Sequence, residues 1–167
     1  LYWRTFNGNS GLERVFEDGR MCAGLTHGHP SGYLTGGVLA VLIFELLKDK
    51  TLLDALAAAT TLLVAERGHE ETLAALDKAV ELSQTDKPHH IAIQELGEGW
   101  VAEEALAISV YCALVAKNFE QGIVLAVNHD GDSDSTGAIT GNVLGAMHGT
   151  NVIPQRWLEP LELRGVI

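Results

Sequence analysis

The chain has 167 residues and a net charge of −11, from 22 acidic against 11 basic side chains, and such a balance repels nucleic acid and anionic membrane surfaces. Its apolar fraction of 47% and its one-domain length suffice to bury about two-thirds of the unfolded surface, which excludes disorder as the default. The longest apolar run, Val38 to Leu47, is interrupted by Glu45 and falls short of the roughly 20 residues that cross a bilayer.

In chain order, residues 1–11 read as an irregular start and Val15 to Gly24 as a short helix. After a Thr26-to-Pro30 loop, Pro30 suits the first turn of a helix running to about Asp49. Thr51 with Asp54 forms a capping-box-like start for a helix through Ala65, ended by Gly68. Glu70 to Ser83 has apolar residues at Leu73, Leu76, Ala79, Val80 and Leu82, an amphipathic helical pattern. Gln84 to His90, with Pro88, reads as a loop, Gly99 to Lys117 as a long apolar helix and Glu120 to Val127 as a shorter one. Gly122 to Leu125 has strand-like composition, but a lone strand has no partner here. An acidic loop then leads into a final long helix, and Pro154 to Leu163 forms a proline-bounded tail. The expectation is an all-α, multi-helix single domain over residues 1–167. Cys22 and Cys112 have no metal-ligand spacing, and no secretory leader pattern is present. Both cysteines are expected to be reduced and buried, in a cytoplasmic protein.

Glycine recurs at Gly137, Gly141, Gly145 and Gly149, a step that keeps all four on one helical face. Interior helical glycine is worse than alanine by about 0.8–1 kcal/mol, so this bare face is expected to meet another helix at short separation. The loop before it, Asp130-Gly131-Asp132-Ser133-Asp134-Ser135, admits three readings. One is helix capping by Ser133 or Ser135, with acids at the positive end of the dipole. An EF-hand fails, because its sixth position would be Ser135 instead of glycine and its twelfth Gly141 instead of glutamate. The third is a hard-cation half-site of Asp132, Asp134 and the Ser135 hydroxyl. Elsewhere, His27 and His29 flank Gly28 with no zinc partners nearby. Gly97-Glu98-Gly99-Trp100 puts an aromatic at a helix start after two flexible glycines, either as a core anchor or as a flat wall for a ring. The dipole alone accounts for Glu103 and Glu104 in the first turn of that helix.

Gly131-Asp132-Ser133-Asp134-Ser135 with its glycine helix, Thr26-His27-Gly28-His29-Pro30 and Gly97-Glu98-Gly99-Trp100-Val101-Ala102-Glu103-Glu104-Ala105-Leu106 occur in the order found in the ADP-ribosylglycohydrolase family. From about residue 15 to its end, the chain resembles the carboxy-terminal half of that family's fold. The resemblance implies a dinuclear Mg²⁺ or Mn²⁺ site and hydrolysis of the bond between ADP-ribose and a modified side chain. It makes Asp132, Asp134 and Ser135 metal ligands and brings His27, Gly99 and Trp100 to the substrate. Thr26 would hold His27, and Asp130 would either orient a metal-bound water or simply be solvated. His29 and Pro30 would shape the turn. His129 is treated with the same caution as Asp130, and His69, His89, His90 and His148 receive no role. The family's early Thr-Asp-Asp motif is absent, and Asn7 to Arg14 matches its diphosphate loop poorly. The chain is therefore expected to begin inside the family architecture and to be inactive alone, its missing half supplied in trans or its exposed core covered by self-association. The competing expectation is a non-catalytic homologue that binds nucleotide, has a structural role or oligomerises.

Overall fold

The computed structural model describes residues 9–162 and residue 165. Nine α-helices occur among them: α1 (Asn9–Gly24), α2 (Pro30–Leu46), α3 (Leu52–Leu63), α4 (Glu70–Ser83), α5 (His89–Leu96), α6 (Ala102–Val115), α7 (Phe119–Val127), α8 (Ser133–His148) and α9 (Gln155–Leu158). A 3₁₀ turn at Thr150–Val152 joins the last two. No strand occurs among the described residues, and the strand-like 122–125 segment lies inside α7. None of the described helices is long and apolar enough to cross a membrane.

Helices α2 and α6 form the centre because both are apolar on nearly every face. Leu34, Val38, Val41, Leu42 and Leu46 of α2 are buried, as is the whole run Ala105 to Ala113 of α6. Helices α1, α3, α4, α5, α7 and α8 pack around this pair, and nearly all the buried apolar residues from Phe16 to Leu144 form one contiguous cluster. At the expected start of α3, Thr51 caps the helix by accepting from the Asp54 N–H at 3.1 Å, and its hydroxyl donates to the Asp54 carboxylate at 2.7 Å.

Several boundaries differ from expectation for local reasons. Helix α1 begins at Asn9 instead of Val15, so only residues 1–8 of the expected irregular start lie outside the described residues. Helix α5 begins at His89, inside the expected Gln84-to-His90 loop, and continues over residues 91–96, for which no element was expected; Pro88 is its N-cap, and it buries Ala92, Ile93 and Leu96. Helix α2 ends before Asp49, whose φ of 62° is left-handed. Helix α6 starts after Gly99 because Gly97 and Gly99 hold φ values of 125° and 79°, which L side chains rarely adopt. Cys112 is buried, which pushes its thiol up to about 12, whereas Cys22 is exposed, contrary to the expectation for it.

The glycine stripe is corrected more substantially. A Cβ at Gly141 would stand 3.6 Å from Ile123 Cδ1, an ordinary contact, and one at Gly145 would meet nothing within 4 Å. Only Gly137 is tight, 2.6 Å from the Cγ1 of Val127, a side chain stiff at χ1, and Gly149 is the C-cap of α8, with φ 74°. Side chains of α7, not a second backbone, meet the Gly137–Gly141 part of this face, and the Gly145 end is open. Gly145→Ala is therefore expected to stabilise the protein through helix propensity by roughly 0.5–1 kcal/mol, raising the melting temperature by about 2–4 °C in calorimetry. A fall in melting temperature would restore the close-packing argument. The close helix approach lies instead between α1 and α2, where a Cβ on Gly19 would stand 2.6 Å from both Ala40 Cβ and the Gly36 carbonyl oxygen.

Candidate functional site

Three interhelical loops converge on one cleft of about 690 Å³. The first connects α1 to α2, and its backbone turns through His27 N–H donating to the Ala23 carbonyl at 3.0 Å. Thr26 Oγ1 and His27 Nδ1 are 2.8 Å apart, so the threonine orients the imidazole. The histidine packs across Gly32 in the first turn of α2, where an added Cβ would stand 2.8 Å from His27 Cβ. His29 is the N-cap of α2, with Nδ1 3.0 Å from Ser31 Oγ and 3.6 Å from Glu71 Oε2.

The second loop runs from Gly97 to Val101. Its backbone N–H groups at Glu98 and Gly99 both donate to Glu104 Oε2 at 3.0 Å. Glu104 therefore has a specific task beyond favouring the helix dipole: it shapes the loop ahead of its own helix. Trp100 is 68% exposed, which rules out the core-anchor reading, and its indole N–H donates to Glu98 Oε2 at 3.0 Å.

The third loop precedes α8. Its N-cap is Asp132, not Ser133 or Ser135, with Oδ1 accepting from the Ser135 N–H at 3.3 Å. The Ser135 side chain, and after it the Asp134 carboxyl, hold the Asp132 carboxyl below its ordinary range. This loop is tied to the second one: Asp132 N–H donates to the Glu98 carbonyl at 2.8 Å. Gly131 lies so close that a Cβ there would stand 1.8 Å from the same oxygen.

Thr26, His27, Gly99, Trp100, Asp132 and Ser135 all line the cleft. Asp134 is exposed and is not part of its wall. Asp130 lies in a separate hollow of about 220 Å³ with His90, Glu98 and Asn128. Sequence reasoning missed Ser31, Thr35, Glu71 and Glu103, which also line the cleft. It also gave His129 no definite task, yet that residue braces the acidic loop. Gly131 N–H donates to His129 Nδ1 at 3.1 Å, and Nε2 lies 2.9 Å from the hydroxyl of buried Thr136, which donates to the Ala126 carbonyl at 2.7 Å. Since Nδ1 must accept from an amide, the neutral imidazole carries its proton on Nε2. No sequence spacing announces these partners.

Residues 4–167 match the family model for ADP-ribosylglycohydrolase. The chain belongs to the ADP-ribosylglycohydrolase family. It is 38% identical to the ADP-ribosyl-[dinitrogen reductase] glycohydrolase of Rhodospirillum rubrum over 30% of this chain and 17% of that one. It is 36% identical to the ADP-ribosylarginine hydrolase Tri1 of Serratia proteamaculans over 35% of this chain and 16% of that one. Human ADP-ribosylhydrolase ARH3 is 25% identical over 92% of this chain and 50% of its own length. The chain thus spans about half the length of the mammalian ADP-ribosylhydrolases that it matches over most of its own sequence.

Whether this ADP-ribosylglycohydrolase chain can by itself hold the implied Mg²⁺ or Mn²⁺ depends on its oxygen donors. Among the described residues no group of three or more His, Cys, Asp or Glu is arranged to hold a metal ion. Asp132 and Ser135 face the cleft while Asp134 does not, and Mg²⁺ takes about six oxygens in near-octahedral geometry. The donor set does not fit a complete metal centre. Among the described residues no Lys or Arg lines the cleft, whereas Glu71, Glu103 and Asp132 contribute acid to it.

Proposed function

We propose that the cleft binds ADP-ribose, free or attached to a modified side chain, and that the chain forms one wall of a site that hydrolyses the bond from the ribose anomeric carbon. The observation that carries this is the convergence of Thr26-His27, Gly99-Trp100 and Asp132-Ser135 on a single cleft in a chain of this family. In this reading His27, Gly99 and the exposed face of Trp100 contact the ligand, and Thr26 orients His27. Asp132 and Ser135 are the oxygens that the cleft wall offers to Mg²⁺ or Mn²⁺, and Asp134, exposed beside them, joins only by turning its side chain inward, with Asp130 outside the set. The remaining donors come from another segment, supplied in trans or by a second copy. The same reading makes the protein cytoplasmic.

The small donor set argues that the chain by itself binds without turning over. Because the diphosphate is anionic and the chain carries −11, binding should depend on the cation. Calorimetry is expected to detect ADP-ribose binding with Mn²⁺ or Mg²⁺ and little without. Asp132→Asn, which keeps a capping oxygen but removes the charge, should weaken it at least tenfold. The same chain should release no ADP-ribose from ADP-ribosylated arginine or serine peptides. Failure to bind ADP-ribose with either cation would overturn the cleft assignment, and robust turnover would overturn the ligand count.

A further inference from the structure

Glu103 and Glu104 are adjacent in the first turn of α6, yet they differ sharply in their partners. Glu104 is occupied by the two loop amides. Glu103 lines the cleft, and its Oε2 is buried without a hydrogen-bond partner among the described residues. An ionised carboxylate only accepts, and an acceptor held out of water without a donor is unfavourable. Among the described residues no Lys or Arg lines the cleft to supply one. Along the same wall lies Trp100, its indole N–H already engaged by Glu98 and its side chain largely exposed. An exposed aromatic face beside an unpaired acceptor suits a flat heterocycle with an N–H on its edge. It does not suit phosphate, which a carboxylate repels.

Resting on the nucleotide reading of the cleft, we propose that Glu103 determines base specificity, accepting a hydrogen bond from the exocyclic amine of an adenine ring stacked on Trp100. Rotation about the inner bonds of the Glu103 side chain can carry the carboxylate to the ring edge without backbone movement, which brings its buried oxygen to a donor.

Adenosine and purine riboside, which lacks only the 6-amino group, test this without a diphosphate or a metal. In calorimetry the wild-type chain is expected to bind adenosine about tenfold more tightly than purine riboside, the usual scale of one hydrogen bond to a charged group. Glu103→Ala should erase that preference by weakening adenosine alone. Glu103→Gln, which keeps an acceptor and nearly the same shape, should retain part of it, and melting curves confirm that both variants fold. Equal losses for the two nucleosides would assign Glu103 to the ribose and overturn the proposal, as would no loss at all. If Glu103→Ala leaves ADP-ribose binding in Mn²⁺ and the adenosine preference both unchanged, the base assignment fails while the cleft assignment stands. If the wild-type chain binds neither nucleoside nor ADP-ribose, both fail.

Discussion

Gly131→Ala is expected to be the most damaging single methyl addition in the protein. Its Cβ would stand 1.8 Å from the Glu98 carbonyl oxygen and 2.7 Å from Glu98 Cα, both backbone atoms that no rotamer change can move. Gly131 is not among the glycines with positive φ, so the problem is space, not backbone strain. The two loops would have to part, breaking the Asp132 N–H bond to Glu98 and disturbing the His129 brace on the Gly131 amide. Overpacking of this kind costs about 1–3 kcal/mol and the lost hydrogen bond about 1 kcal/mol more. A fall in melting temperature of roughly 10 °C should follow, with loss of ADP-ribose binding in Mn²⁺. A variant that melts and binds like the wild type would show that the loops are not locked together.

The second large effect is expected at the α1–α2 contact. Alanine in place of Gly19 improves helix propensity by about 1 kcal/mol, yet its methyl would meet Ala40 Cβ and the Gly36 carbonyl oxygen at 2.6 Å each. Neither neighbour can swing aside, so the helices must separate. Steric cost should outweigh propensity, giving a net loss of about 1–2 kcal/mol and a melting temperature lower by roughly 5 °C. Ala23 and Gly36 also line the cleft, so the displacement should carry into ligand affinity. Gly145→Ala is the matched control, identical in chemistry and expected to move the melting temperature upwards. Equal shifts in the same direction for both variants would refute the distinction between an open and a closed helical face.

Local patterning determined the helical class and the Thr51 cap, and it placed α4 at Glu70–Ser83, because capping and a 3.6-residue apolar period act over a single turn. The three motif loops were legible for a related reason: side-chain chemistry and glycine content are written residue by residue, and the family resemblance links them in order. Their convergence on one cleft was an expectation of that resemblance until the tertiary structure brought Thr26, Trp100 and Asp132 to one wall. The sequence drew attention to the glycines of α8, but helical spacing says only which residues share a face, not what faces them. The backbone contact went to Gly19 and Gly36, whose partners lie on another helix. The His129 brace likewise depends on atoms of Gly131 and Thr136 that only the folded loop brings within reach. For Glu103 and Glu104 the dipole argument was identical, since both sit in the same first turn. Neighbouring residues point about 100° apart around a helix, so one carboxylate closes on the loop and the other is turned into the cleft: a difference that one dimension of sequence cannot express and the packing of α6 decides.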